Sequence, residues 1–317
     1  MHEERRFGIR VRHSLTAGRR TRSAIRMSIG ERIFHVLNYL FFALISWTTL
    51  FPFLNLLAKS LSSEEAVMSG SVSLFPVDIQ FGTYLYVLND SQFMNAFLVS
   101  VTITVAGTAM GLLMTALAAY PLSKPRLRGR KFFILMYVFT MLFSGGLIPT
   151  YLLMQRLNLI DTLWVLFLPS MISVFNMLII KNYFESLPDE LEESAKMDGA
   201  SNLTILFRIT VPLSLPVFAT IALFFAVGFW NDYFASMIYI NTAELKPLQL
   251  YLKELLAHSN ITYQDGGHVT NIDAVMNTTP QAIQAASILV ATLPILLVYP
   301  FLQKYFVKGV LIGSVKG

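Results

Sequence analysis

No cysteine occurs among the 317 residues, which excludes disulfide frameworks, zinc knuckles and thiol chemistry. Charge is scarce as well. Asp, Glu, Lys and Arg make up 14% of the chain against 55% hydrophobic residues, too apolar for a protein whose whole surface meets water. The five histidines (His2, His13, His35, His258, His268) show no metal-ligand spacing, and neither a metal site nor a catalytic residue is expected. No G-x-x-x-x-G-K-[ST] segment is present, so nothing in the chain is shaped to cradle nucleotide phosphates.

What is present is a set of six long segments without a charged residue: 33–58, 93–123, 132–155, 162–180, 209–231 and 274–303. A bilayer core about 30 Å thick needs roughly 20 helical residues, and each segment is near or above that length. The fifth continues past one interruption, Asp232, to residue 243. The reading is an all-α membrane protein with six transmembrane helices.

Basic residues give the orientation. Nine arginines lie in the amino-terminal arm (residues 1–32), and Lys124, Arg126, Arg128, Arg130 and Lys131 precede the third segment. Lys181, Lys196 and Arg208 lie between the fourth and fifth, and Lys304, Lys308 and Lys316 in the tail. The alternate loops hold only Lys59, Arg156, Lys246 and Lys253. The positive-inside rule then places both termini and the 181–208 loop in the cytoplasm. The arm is read as a mobile orientation signal that also clamps anionic lipid, and not as a nucleic-acid binder, since no aromatic residues are interleaved to read bases. The first apolar segment is read as a retained anchor, being longer than the apolar region of a cleaved signal.

Helix breakers sit inside the segments: Ser144-Gly145-Gly146 and Pro149, Pro169, Pro212 and Pro216, and Pro294 and Pro300. They suit either a bundle that moves or the ordinary tolerance of membrane helices for Gly and Pro. Gly107 and Gly111 have small-xxx-small spacing, which favours close helix packing. Asp232 is the one carboxylate interrupting an apolar span, and such groups normally face a cavity or a partner. Trp230, Asn231 and Tyr233 beside it add rings and an amide, suited to a sugar with apolar ring faces and a hydroxyl rim. An interfacial aromatic belt is the competing reading. Asn176 and Gln284 (or Gln281) are further candidates for the same substrate path. No intramembrane Lys, Arg, His chain or acid pair exists to run a proton relay.

Between the fourth and fifth segments lies a polar island, Leu191-Glu192-Glu193-Ser194-Ala195-Lys196-Met197-Asp198-Gly199-Ala200, followed by Ile209-Thr210-Val211-Pro212. Ser186 is expected to cap a short helix with Pro188 in its first turn, and Gly199 to end it. Ser201 or Asn202 can restart a second helix. Such a helix would lie across the end of the bundle and offer Glu193 and the small Ala195 to a soluble partner. A solvated connecting loop is the plainer alternative.

The spacing of Glu193, Ala195, Gly199, Ile209 and Pro212 resembles the coupling loop of ABC-importer permeases: E-A-A, three residues, G, nine residues, I-x-L-P. Ser194 and Val211 depart from that pattern. The stretch Trp230-Asn231-Asp232-Tyr233-Phe234, the ending Lys304-Tyr305-Phe306-Val307-Lys308-Gly309-Val310 and Gly313-Ser314-Val315-Lys316-Gly317 are similar to carbohydrate-uptake permeases of the maltose-transporter type. Thr140-Met141-Leu142-Phe143-Ser144-Gly145-Gly146-Leu147-Ile148-Pro149-Thr150 resembles the branch for complex oligosaccharides.

The resemblance covers residues 30 to 317. It implies a type I ABC importer permease fold: a transmembrane domain at 33–317 with a cytoplasmic coupling helix in the loop 186–212. Contacts to the ATPase would fall on Glu192, Glu193, Ala195, Asp198, Gly199, Ala200, Ile209 and Pro212. It also implies the partners: a homologous second permease, two ABC ATPase subunits that use ATP and Mg, an extracellular solute-binding protein and a carbohydrate substrate. The outside loops near 60–91 and 241–282 fit docking of the binding protein or plain surface loops. This chain itself would bind no cofactor. An ion-coupled secondary transporter and a non-transport membrane scaffold are the other classes to weigh; the first has only Asp232 to run on, and the second has no need of the coupling pattern.

Overall fold

In a computed structural model, residues 28–265 and 280–314 are described. The expectations for most of the arginine arm, for 266–279 and for the last three residues lie outside them. The chain divides into two compact units at Phe51 and Pro52. The first unit is described from Ser28. It holds most of α1 (Ile29–Leu61), whose Phe34, Val36, Tyr39 and Phe42 lie on different sides of the helix and are all exposed. A helix apolar on every side is built to meet lipid or another chain.

The second unit, from Pro52 onward, opens with α2 (Glu64–Met68), capped by Ser63, and α3 (Gly82–Asn89). Then comes α4 (Ser91–Ser123), an unbroken 33-residue helix. Asp90 caps it by accepting the Gln92 N–H at 3.0 Å, which satisfies one of the orphan donors of a helix start. Two prolonged apolar stretches then break where glycine and proline stand. α5 (Arg130–Leu142) and α6 (Leu147–Arg156) are separated at Ser144-Gly145-Gly146 and turn by 111°. Gly146 has φ +90°, a conformation that L side chains rarely adopt. The expected third span at 132–155 is thus a bent pair and not one straight helix. α7 (Trp164–Phe167) runs through a 3-10 turn containing Pro169 into α8 (Val174–Glu185), with a 50° bend.

The island follows as α9 (Asp189–Met197) and α10 (Asn202–Ile205). Leu206–Thr210 widens into a π turn before α11 (Val211–Leu213), and an 86° bend at Ser214 leads into α12 (Leu215–Asn231). Pro212 explains the widening. It lacks an N–H, and its ring would collide with the carbonyl four residues back, so the turn opens. α13 (Phe234–Tyr239), a 3-10 turn at Ala243–Leu245, α14 (Leu248–Asp265) and α15 (Pro280–Ser314) complete the chain. No strand occurs among the described residues.

Among the described residues, three helices are long and apolar enough to cross a membrane: α1, α4 and Pro280–Val298 of α15. The three bent pairs pass the same test as pairs. α12 packs most extensively on α4, then α4 on α8 and α12 on α15. Small residues let α4 and α12 approach closely. A Cβ on Gly107 would stand 2.8 Å from the Phe229 ring, and one on Gly111 3.0 Å from Phe225, as their small-xxx-small spacing suggests.

Candidate functional site

Two places gather the residues singled out above. The first is an open cavity of 620 Å³ where the α7–α8 bend meets the carboxyl end of α12. Ser170, Ser173, Asn176, Asn231 and Asp232 bring polar groups to it; Phe175, Phe224, Phe225 and Phe229 bring rings. Local structure explains the placement. Ser173 caps α8 by accepting the Asn176 N–H at 3.4 Å, so Asn176, itself buried, sits at the bend. Asp232 stands in the break between α12 and α13 and accepts the Ala235 N–H at 3.1 Å. It therefore ends the apolar helix and does not interrupt one. The Asn231 amide donates to the Val227 carbonyl at 2.9 Å.

Asp161, with φ +59°, fastens the segment that follows α13. It accepts the Thr242 hydroxyl at 2.6 Å and the N–H groups of Thr242 and Asn241 at 2.9 Å. These hydrogen bonds, the Thr242 hydroxyl foremost, hold its carboxyl below the ordinary value.

Asn176, Asn231 and Asp232 thus share one cavity, while the other expected members of the substrate path lie elsewhere. Trp230 points away into a buried cluster with Phe93 and Leu248 and stacks edge-on with Phe97. Tyr233 lies under the Lys253 ammonium, 4.2 Å from the ring centre. Gln284 turns toward the Leu255 carbonyl on α14 at 3.5 Å. Phe224, Phe225 and Gly228 carry no signal of their own in the sequence, although a helical projection from Asp232 finds them. Phe224, Gly228 and Asp232 recur every four residues, and Phe225 and Phe229 line the neighbouring row.

The second place is the island. Pro188, and not Ser186, stands at the amino end of α9. The Ser186 hydroxyl instead donates back to the Tyr183 carbonyl at the end of α8. At the other end Gly199, with φ +78°, donates to Lys196, and Ala200 to Ala195 at 2.9 Å. That pair of bonds is a Schellman closure, and it is the stop expected at Gly199.

The two faces of α9 differ. Glu192 and Ala195 are buried against the bundle, whereas Glu193, Ser194, Met197 and Asp198 face outward. Met197 is 89% exposed. Ala195 therefore fits α9 to its own bundle and is not offered outward as expected. Ile209 is likewise half-buried in the π turn, and Pro212 is exposed beside it. Glu192 is held by Lys124, by Lys196 and by Arg126, the last at 2.5 Å. Burial alone would raise its pKa, but the hydrogen bonds from the three cations outweigh burial and hold it at about 2. Lys124 and Arg126 had counted only as orientation charges, and no spacing in the sequence ties them to residue 192.

Among the described residues, a strandless helical bundle with apolar helices of spanning length marks a membrane-integral protein. Residues 107–312 match the family described as "Binding-protein-dependent transport system inner membrane component", and the chain belongs to that family. Protein LplC of Bacillus subtilis (strain 168) is 48% identical over 288 residues, covering 90% of this chain and 96% of that one. The polygalacturonan/rhamnogalacturonan transport system permease protein YtcP of the same organism is 42% identical, covering 90% and 99%. A crystal structure of a bacterial ABC transporter involved in the import of the acidic polysaccharide alginate contains a chain that superposes with a TM-score of 0.81. That chain is 36% identical, and the match covers 88% of this chain and 99% of that one. The fold is that of a type I ABC importer permease.

Proposed function

We propose that this chain is one permease subunit of a binding-protein-dependent importer that moves an oligosaccharide across the cytoplasmic membrane. Each bent pair then counts as one crossing, which gives six spans with both termini cytoplasmic. The second permease completes the passage, two ABC ATPase subunits supply the work of ATP and Mg, and an extracellular binding protein delivers the sugar. α9 is the coupling helix, with Glu193, Met197 and Asp198 toward the ATPase and the Gly199 stop fixing where they stand. ATP-driven closure of the ATPase pair draws the coupling helices together and opens the permease pair outward. Hydrolysis returns it inward, and no bond in the sugar changes.

The observation that carries this reading is the cavity at the end of α12. Four phenylalanine rings face amides, hydroxyls and one carboxylate there, the mixture that suits sugar faces and hydroxyl rims. The permease YtcP, whose name gives polygalacturonan/rhamnogalacturonan transport, and the transporter involved in alginate import support the carbohydrate class.

The test is uptake of a saccharide panel into vesicles holding the full complex. Import should need ATP and loaded binding protein, and a Glu193→Lys, Gly199→Pro double variant should lose it. Normal uptake by that double variant would sink the coupling role.

A further inference from the structure

The connection between α4 and α5 grips the island with two cations, and the first residue of α5 grips the end of α8 with a third. Lys124 and Arg126 reach Glu192 on α9, and Arg130 reaches Glu185 at the end of α8. Each carboxylate is also neutralised from its own element, Glu192 by Lys196 and Glu185 by Lys181. Arg130 is fixed in turn, its Nε donating to the Leu122 carbonyl at 2.7 Å. The Glu192 side chain is 10% exposed and that of Lys124 17%, so this pair is sheltered from the solvent screening that weakens surface ion pairs.

α9 has little else to hold it. It is nine residues long, and only Glu192 and Ala195 are buried on it. A helix this short has no stability of its own. Force on its outward face can leave by two routes. The covalent route runs through a π turn and the 86° bend at Ser214 before it reaches α12, and such breaks are where helices flex. The ionic route enters the carboxyl end of α4, which is unbroken and pressed against Phe225 and Phe229. Those two rings line the cavity.

We infer that Glu192 is a positioning residue that locks the coupling helix to the α4–α5 connection. The island, α4 and the start of α5 then move as one body, and the stroke of α9 reaches the cavity wall through α4. The inference rests on the reading of α9 as the element an ATPase drives.

The absence of cysteine in the chain permits a clean test in the whole importer complex. The parental complex must first show import and ATP hydrolysis stimulated by loaded binding protein; failure there overturns the proposed function and not the clamp. Glu192→Gln should then hydrolyse ATP while import per ATP falls about tenfold, a usual size for coupling between linked sites. In a Lys124→Cys, Glu192→Cys variant, a short bifunctional thiol reagent that bridges the two positions should restore import per ATP to within about twofold of the parent. Import per ATP unchanged in Glu192→Gln overturns the clamp. So does a bridged complex that hydrolyses ATP and no longer imports, because the two elements would then have to separate during the cycle. Should Glu192→Gln fail to assemble, the bridged variant alone decides between these outcomes.

Discussion

Glu192 on the island and Asp232 at the cavity are both carboxylates next to apolar helices, and the fold treats them in opposite ways. Glu192 is buried and satisfied by three cations from within the chain. Asp232 lies on the wall of an open cavity, no cation stands among the lining residues, and it accepts one backbone N–H. A buried charge must be paired or it destabilises its host. A charge on a cavity wall can keep acceptor capacity for a ligand. The difference separates a residue that holds the machinery together from one that can meet cargo.

The largest effect that could break this contrast is at Glu192. Glu192→Ala leaves three cations around an empty position and should cost about 3 kcal/mol, since removing one partner of a buried pair is far worse than never having the pair. Thermal unfolding of the solubilised complex measures it. Acid should reproduce the loss. The folded pKa is lowered from 4.5 to about 2, so the stabilisation is full above the unfolded value and disappears as pH falls through the folded one. The difference in unfolding temperature between the parent and Glu192→Gln should stay flat above pH 5, then shrink between about 4.5 and 2.

Next in size is the α4–α12 contact. Gly107→Ala puts a methyl 2.8 Å from the Phe229 ring and should cost about 1–3 kcal/mol by overpacking. Gly111→Ala, at 3.0 Å from Phe225, should cost less, and equal costs would argue against ring contact as the cause. The smallest stability effect belongs to Asp232→Ala. Loss of one bond to a helix start is worth about 1 kcal/mol, while import should fall well beyond what that loss explains. A variant that unfolds early and still imports would reverse the roles assigned to the two carboxylates.

Much of this was legible in the sequence because the signals are local. Apolar length marked the helices, the Gly199 stop followed from glycine's access to positive φ, and Ser144-Gly145-Gly146 marked where α5 and α6 part. Asn176, Asn231 and Asp232 were found because a polar group inside an apolar stretch needs an explanation. What the sequence hid is set by tertiary packing. Glu192 and Glu193 are adjacent and chemically identical, and only the rotation of α9 decides which is buried. Trp230 resembled a sugar platform beside Asn231, yet one step around the helix puts it in the core with Phe97. Lys124 and Arg126 meet Glu192 across a gap of more than sixty residues, which no spacing rule reaches.

The most direct measurement concerns the outward face of α9. In the cysteine-free chain, Met197→Cys supplies a single thiol at a fully outward-facing point of that helix. In the assembled importer, a thiol cross-linker placed there should join this chain to an ATPase subunit, and attached ATPase should shield the thiol from water-soluble reagents. A thiol that stays fully reactive in a complex actively importing saccharide, and forms no cross-link to the ATPase, would contradict the coupling role of α9.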